Sequence, residues 1–127
     1  MRILIAEDHP DNREMLTRRL ERRGYAVQCA ENGAIAVEMA TASPPDLILM
    51  DISMPVMSGI EATRALRKSP GPESAVKIVA LTAHAMESAR RECMEAGCDD
   101  FATKPVDFAG LIALIEKHAP PNTVSAL

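Results

Sequence analysis

Short apolar runs alternate with helix-like segments five times along this 127-residue chain, and this alternation limits its fold more than any other feature. The predicted strands cover residues 2–6, 25–30, 47–51, 76–81 and 100–103. The predicted helices cover residues 11–23, 34–42, 60–68 and 86–96, with a fifth from residue 108 to about 119. Strands that alternate with helices form a parallel sheet with right-handed crossovers and helices on both faces. We therefore expect one doubly wound α/β domain over residues 1–119 and a short tail over 120–127.

Apolar spacing supports the assignment of the first and last helices. Leu111, Ile112 and Ile115 continue a stripe that begins at Phe108, at positions i, i+3, i+4 and i+7. In the first helix the expected stripe consists of Met15, Leu16 and Leu20.

Charge and cysteine content exclude several classes of function. The chain has 14 Lys and Arg against 18 Asp and Glu, and it has no basic stripe, so we expect no direct nucleic-acid binding. Its three cysteines are odd in number and lack CxxC spacing, which argues against a disulfide framework or a zinc site. Neither a leader segment nor a run long enough to span a bilayer is present, so we expect no membrane contact and a cytoplasmic location.

Reactive side chains stand where the predicted strands end. Glu7 and Asp8 follow the first strand, Asp51 ends the third, Thr82 follows the fourth, and Lys104 follows the fifth. Because the carboxyl ends of parallel strands share one edge of the sheet, these five residues should converge. Clustered carboxylates repel one another, and oxygen ligands suit Mg²⁺, with Mn²⁺ as the alternative ion. A carboxylate can also act as a nucleophile and carry a phosphoryl group as an aspartyl phosphate.

The chain resembles a receiver domain of two-component response regulators, and it is also similar to the receivers of hybrid histidine kinases. The matching segments are Ile5–Asp8, Pro45–Asp51, Met54–Pro55, Gly59, Leu81–Ala83 and Lys104–Pro105. The resemblance implies a flavodoxin-like sandwich with strand order 2-1-3-4-5. It also implies a phospho-accepting switch rather than a metabolic enzyme, with a histidine kinase or histidine-phosphotransfer protein as donor and a further protein as downstream partner.

The resemblance assigns a role to each acidic residue. It implies that Asp51 accepts the phosphoryl group and that Asp8 and Asp51 ligate Mg²⁺ directly. Glu7 would help to hold the ion through water, and Ser53 would contribute its backbone carbonyl. Glu7 departs mildly from the family pattern, in which Asp is also common at this position.

The same resemblance assigns the switch and the basic residue. Lys104 would pair with Asp51 and later with the phosphoryl group, and the Lys104–Pro105 peptide would be cis. Thr82 and Phe101 would be the two switch positions that change the surface formed by the fourth helix, fifth strand and fifth helix. Two interpretations of Phe101 stay open, because nothing in the sequence separates a switch ring from ordinary core packing.

Two further residues are expected to tune the lifetime of the phosphoryl group. Ser53 lies two places beyond Asp51, and His84 lies two places beyond Thr82, so both should line the mouth through which water enters.

Residues of the chain argue against two other interpretations. A phosphatase or dehalogenase would carry a second Asp two residues after the nucleophile, where this chain has Ser53. A flavin-binding protein would need a loop rich in Gly, Ser or Thr after the first strand, where this chain has two acids. A stand-alone receiver and a piece of a hybrid kinase stay open, as do a monomer and a phosphorylation-dependent dimer.

Overall fold

The computed structural model describes residues 1–83 and 87–119, and it confirms the alternation of strands and helices. The strands are β1 Arg2–Ala6, β2 Ala26–Ala30, β3 Leu47–Asp51, β4 Lys77–Thr82 and β5 Asp100–Thr103. The helices are α1 Pro10–Arg22, α2 Gly33–Ala42, α3 Gly59–Lys68, α4 Glu87–Ala96 and α5 Phe108–Lys117, with a short 3-10 helix at Pro72–Ala75. The predicted start of α4 at Met86 and the predicted tail over 120–127 lie outside the described residues.

The five strands form one parallel sheet in the order β2-β1-β3-β4-β5, as predicted. The chain reverses its direction of travel across the sheet between β1 and β3, which is where parallel sheets bind ligands. All five residues of the central strand β3 are buried, because helices cover both faces of the sheet. Asp51, the last residue of β3, pairs with Leu81 of β4.

Alternate residues of β3 serve two separate cores. Ile48 and Met50 belong to the core beneath α2, α3 and α4, whereas Leu47 and Leu49 belong to the core beneath α1 and α5. The helices contribute Ala36, Ala40, Leu66 and Cys93 to the first core and Leu16, Leu20, Leu111, Ile112 and Ile115 to the second. Asp51 continues the alternation of β3 toward the α1 and α5 side.

The predicted apolar stripe of α1 is correct for Leu16 and Leu20 but wrong for Met15. Leu16 and Leu20 are 2% and 0% exposed, whereas Met15 is 37% exposed. Met15 lies at the rim of a cleft of about 480 Å³ that also includes Leu16, Pro105 and Val106. The stripe therefore ends at the edge of the sheet that carries the acidic residues. Among the described residues, no helix is both long enough and apolar enough to cross a membrane.

Arg67 holds the opposite edge of the sheet together. Its guanidinium donates hydrogen bonds to the carbonyls of Ser74 (2.9 Å), Val76 (2.7 Å) and Gly97 (2.8 Å), and to Asp99 Oδ2 (3.0 Å). Gly97 has a φ of +115°, and a Cβ there would lie 2.6 Å from Arg67 Cγ. One side chain of α3 thus fixes the segments that lead into β4 and β5.

Candidate functional site

Three carboxylates meet at the carboxyl edge of the sheet, as the strand ends predict. One oxygen from each of Glu7, Asp8 and Asp51 lies within 4.8 Å of the other two. Glu7 and Asp51 are only 1% and 3% exposed, whereas Asp8 is exposed. Two of the three acids are therefore buried side by side, which requires a cation or a shared proton.

Lys104 supplies positive charge to this cluster. Its Nζ lies 3.0 Å from Asp51 Oδ2 and 3.2 and 3.1 Å from the two carboxylate oxygens of Glu7. Burial lowers the pKa of Lys104, but its hydrogen bonds to Asp51 and Glu7 outweigh that effect and raise the pKa above its usual value. The ammonium is therefore charged at neutral pH and bridges the first and third strands.

The two buried acids have unequal affinities for a proton. Burial, and then the hydrogen bond with Glu7, raise the pKa of Asp51 to about 6, against the opposing effects of the Ser53 N–H and Lys104. Burial also acts to raise the pKa of Glu7, but hydrogen bonds with Asp51, Asn12 and Lys104 together lower it. The pair therefore holds one proton on the Asp51 side in acid, and Asp51 is mostly ionised at pH 7.

The first turn of α1 contributes two residues that the strand ends did not predict. The Asn12 amide donates to Glu7 Oε1 at 2.8 Å, and the Arg13 guanidinium donates to the backbone carbonyls of Glu7 (2.9 Å) and Asp8 (3.1 Å). Their position in the first turn of α1 was visible in the sequence. The direction of their side chains, back toward β1, had no signal there.

The loop between β3 and α3 is built around close backbone contacts. The Ser53 N–H donates to Asp51 Oδ1 at 3.1 Å, and the proposed metal-binding role of the Ser53 carbonyl stays a prediction. A Cβ on Gly59 would lie 2.2 Å from the carbonyl oxygen of Asp51, so only glycine fits at the start of α3. Val56, at the tip of this loop, has a φ of +68° and is 83% exposed.

The predicted switch residues occupy the neighbouring strands. Thr82 ends β4 with no exposed surface, and its carbonyl accepts a hydrogen bond from the Lys104 N–H at 2.7 Å. Phe101 on β5 is half-buried, packs against the core beneath α4, and lies under the guanidinium of Arg90 at 5.7 Å from the ring centroid. The Lys104–Pro105 peptide is cis, as the resemblance implied. His84 lies outside the described residues.

The donor set fits a hard divalent cation. Each acid offers a carboxylate oxygen within 4.8 Å of the others, and Mg²⁺ and Mn²⁺ prefer such oxygen ligands. The set contains no thiolate or imidazole ligand that would favour a softer metal, among the residues the structure describes. Glu7, Asp8 and Asp51 are thus the residues that would hold the ion.

Comparison with known proteins identifies receiver domains as similar to this chain. The family model described as the response regulator receiver domain matches residues 3–116. Protein PilH of Pseudomonas aeruginosa is 40% identical over 114 residues, which are 90% of this chain and 93% of PilH. The hybrid signal transduction histidine kinase G of Dictyostelium discoideum is 39% identical over 94% of this chain. This chain spans only 4% to 13% of the length of the hybrid and sensor kinases that it matches.

Solved structures agree with the sequence relatives. The receiver domain of sensor histidine kinase PA1611 from Pseudomonas aeruginosa, solved with a magnesium ion in its active-site cleft, is 36% identical and has a TM-score of 0.84. The match covers 91% of this chain and 94% of that one. The co-crystal structure of the Saccharomyces cerevisiae phosphotransfer protein Ypd1 and the receiver domain of Ssk1 matches with 32% identity and a TM-score of 0.86, over 94% and 88% of the chains. This chain belongs to the response regulator receiver domain family.

Proposed function

We propose that Asp51 accepts a phosphoryl group from the phosphohistidine of a histidine kinase or histidine-phosphotransfer protein, in a reaction that requires Mg²⁺ or Mn²⁺. Residues 1–119 act as the receiver domain. The phosphorylated form then binds a downstream protein through the surface formed by α4, β5 and α5. The chain is a switch that assists its own phosphorylation, and not a metabolic enzyme.

The observation that carries this proposal is the environment of the Asp51 carboxylate. Asp51 lies at the end of the central strand, 3.0 Å from Lys104 Nζ, and shares the edge of the sheet with Glu7 and Asp8. Three strands set these distances, because Asp51 ends β3, Lys104 follows β5, and the two other acids follow β1. Such positioning and charge neutralisation are what phosphoryl transfer requires from a protein.

The residues present can perform the transfer in one step. Asp51 attacks as the carboxylate, so its oxygen–phosphorus bond forms while the phosphorus–nitrogen bond of the phosphohistidine breaks. The leaving imidazole nitrogen keeps the electron pair and takes a proton from solvent. Lys104 neutralises charge on the phosphoryl oxygens, and a bound divalent cation would supply the remaining positive charge. Since the pKa of Asp51 is about 6, the nucleophile is ionised at neutral pH.

The output of the switch depends on two strands next to Asp51. Thr82 would donate its hydroxyl to the new phosphoryl oxygens, and in support of this role it directly follows Leu81, the β4 residue that pairs with Asp51. Phe101 would then turn inward beneath α4. That helix buries only the small side chains of Cys93 and Ala96, so we expect it to move easily. Ser53 and His84 would adjust how fast water removes the phosphoryl group.

The relatives support the choice of donor. The sequences matched include hybrid and sensor histidine kinases, and a matching structure contains a phosphotransfer protein together with a receiver. An enzyme of the phosphatase or dehalogenase type has less support, because Ser53 stands where a second Asp would be needed.

The test is to incubate the protein with acetyl phosphate and Mg²⁺ and to locate the adduct by mass spectrometry under neutral conditions. Wild type should carry one phosphoryl group on Asp51, and Asp51→Asn should carry none. Asp46→Asn is the matched control, because Asp46 precedes β3 at the opposite edge of the sheet and should leave labelling unchanged. Stoichiometric labelling of Asp51→Asn would disprove the assignment.

A further inference from the structure

Hydrogen bonds hold the backbone of Glu7 in place. Its N–H donates to the carbonyl of Ala30 at 3.0 Å, and its own carbonyl accepts from Arg13 at 2.9 Å. The backbone of Glu7 is therefore fixed on both sides. What remains free to rotate is a side chain with three torsion angles, one more than an Asp would have at this position.

Besides the hydrogen bond with Asp51, two nitrogen donors fix the Glu7 carboxylate. Lys104 Nζ lies 3.2 and 3.1 Å from its two oxygens, and Asn12 Nδ2 lies 2.8 Å from Oε1. The contact with Lys104 is shared with Asp51, at 3.0 Å, and the proposed reaction draws Lys104 toward the phosphoryl group. Among the described residues, Asn12 is then the side chain that continues to hold Glu7.

The position of Asn12 suits this role. It is the third residue of α1, half-buried, and it lines the cleft between α1 and the segment after β5. The helix begins at Pro10 with no side-chain cap from His9. The Asn12 side-chain amide thus donates to Glu7 rather than capping the N-terminus of α1.

We infer that Asn12 is a positioning residue that orients the Glu7 carboxylate for the divalent cation. The inference rests on the proposed function, because it concerns the metal of that same site. Hydrogen-bond partners of this kind, one step removed from the metal, commonly change metal affinity about 10- to 100-fold when they are removed. Without its amide donor, Glu7 samples more rotamers and binds Mg²⁺ less well.

The experiment measures Mg²⁺ affinity of the full chain by titration calorimetry, with the unfolding temperature in metal-free buffer as a second readout. Asn12→Ala should weaken Mg²⁺ binding at least about 10-fold. Gln28→Ala is the control, because it removes an exposed amide from β2 and should leave the affinity unchanged. Asn12→Ala is also made in a Glu7→Gln background, where it should change the affinity by less than about twofold because the carboxylate is already gone.

Each outcome separates this inference from the proposed function. An unchanged Mg²⁺ affinity in Asn12→Ala would overturn the inference, as would an equal loss in both backgrounds, because Asn12 would then act without Glu7. A lower unfolding temperature with unchanged Mg²⁺ affinity would make Asn12 merely structural. If wild type itself bound no Mg²⁺, the proposed metal site would fail and the inference with it.

Discussion

Replacing Arg67 by Met should remove about 3 to 4 kcal/mol from the free energy of unfolding. Arg67 donates four hydrogen bonds, three to backbone carbonyls and one to Asp99. Met keeps much of the aliphatic volume over Gly97 but donates nothing. The change therefore tests the polar contacts rather than the packing.

The magnitude follows from the contacts. A hydrogen bond within a protein contributes about 1 kcal/mol net, and more when one partner is charged. The side chains of Arg67 and Asp99 are 22% and 27% exposed, so water can replace part of what is lost. Asp99 also keeps its bond from the Ile78 N–H at 2.8 Å. Four hydrogen bonds at about 1 kcal/mol each would contribute about 4 kcal/mol. Rehydration reduces the expected loss to about 3 to 4 kcal/mol, which is the lower half of the range of about 3 to 5 kcal/mol for breaking a buried ion pair.

The assay is urea unfolding of the Mg²⁺-free protein, followed by circular dichroism. Arg64→Met is the control, because Arg64 lies one turn earlier on the exposed side of α3 and should change stability by less than about 0.5 kcal/mol. Asp99→Asn combined with Arg67→Met should be less destabilising than the sum of the two single changes. A loss below about 1 kcal/mol in Arg67→Met would refute the stabilising role assigned to the hydrogen bonds of Arg67.

Three further predictions follow from the site. Without Mg²⁺, folding stability should fall as pH rises from about 4 to 6, because folded Asp51, with its pKa raised to about 6, holds a proton that the unfolded chain has released. Chemical unfolding measured at several pH values should show a shallower fall in Asp51→Asn. Gly59→Ala should cost at least about 2 kcal/mol in thermal unfolding, because its Cβ would lie 2.2 Å from the Asp51 carbonyl oxygen, and equal stability would contradict this. With beryllofluoride as a phosphoryl mimic, Thr82→Val should keep amide NMR shifts near Asp51 but lose most of those near Phe101; full distant shifts in both Thr82→Val and Phe101→Ala would exclude the switch.

The fold was predictable because its strongest signal is local. Each apolar run was bounded by turn residues, and alternation with helices leaves a parallel sheet as the simplest arrangement. Convergence of Glu7, Asp8, Asp51 and Lys104 followed from that topology, because the carboxyl ends of the strands share one edge. Strand order needed the family resemblance, since apolar patterning alone does not choose it.

The residues that were missed depend on side-chain direction. Asn12 and Arg67 are polar residues on helices, and their sequence positions fit a solvent-facing role equally well. Only the structure shows that Asn12 turns back to Glu7 and that Arg67 joins the two segments that lead into β4 and β5. The prediction for Met15 was wrong in the opposite sense, because an expected core residue is exposed. Helical periodicity identifies the apolar face of a helix but not where the protein beneath that face ends.

The contact of Lys104 with both buried acids fixes the electrical character of the site. Three carboxylates and one ammonium carry a formal charge of minus two, which one divalent cation neutralises. A monovalent ion would leave the site anionic, and a trivalent ion would leave it cationic. The proposed phosphorylation would replace the single charge of Asp51 by about two, so a metal-bound site would change from neutral to anionic without any change of metal. With the metal bound, the proposed aspartyl phosphate would attract an additional positive group, and this attraction would act at a distance before any partner makes contact.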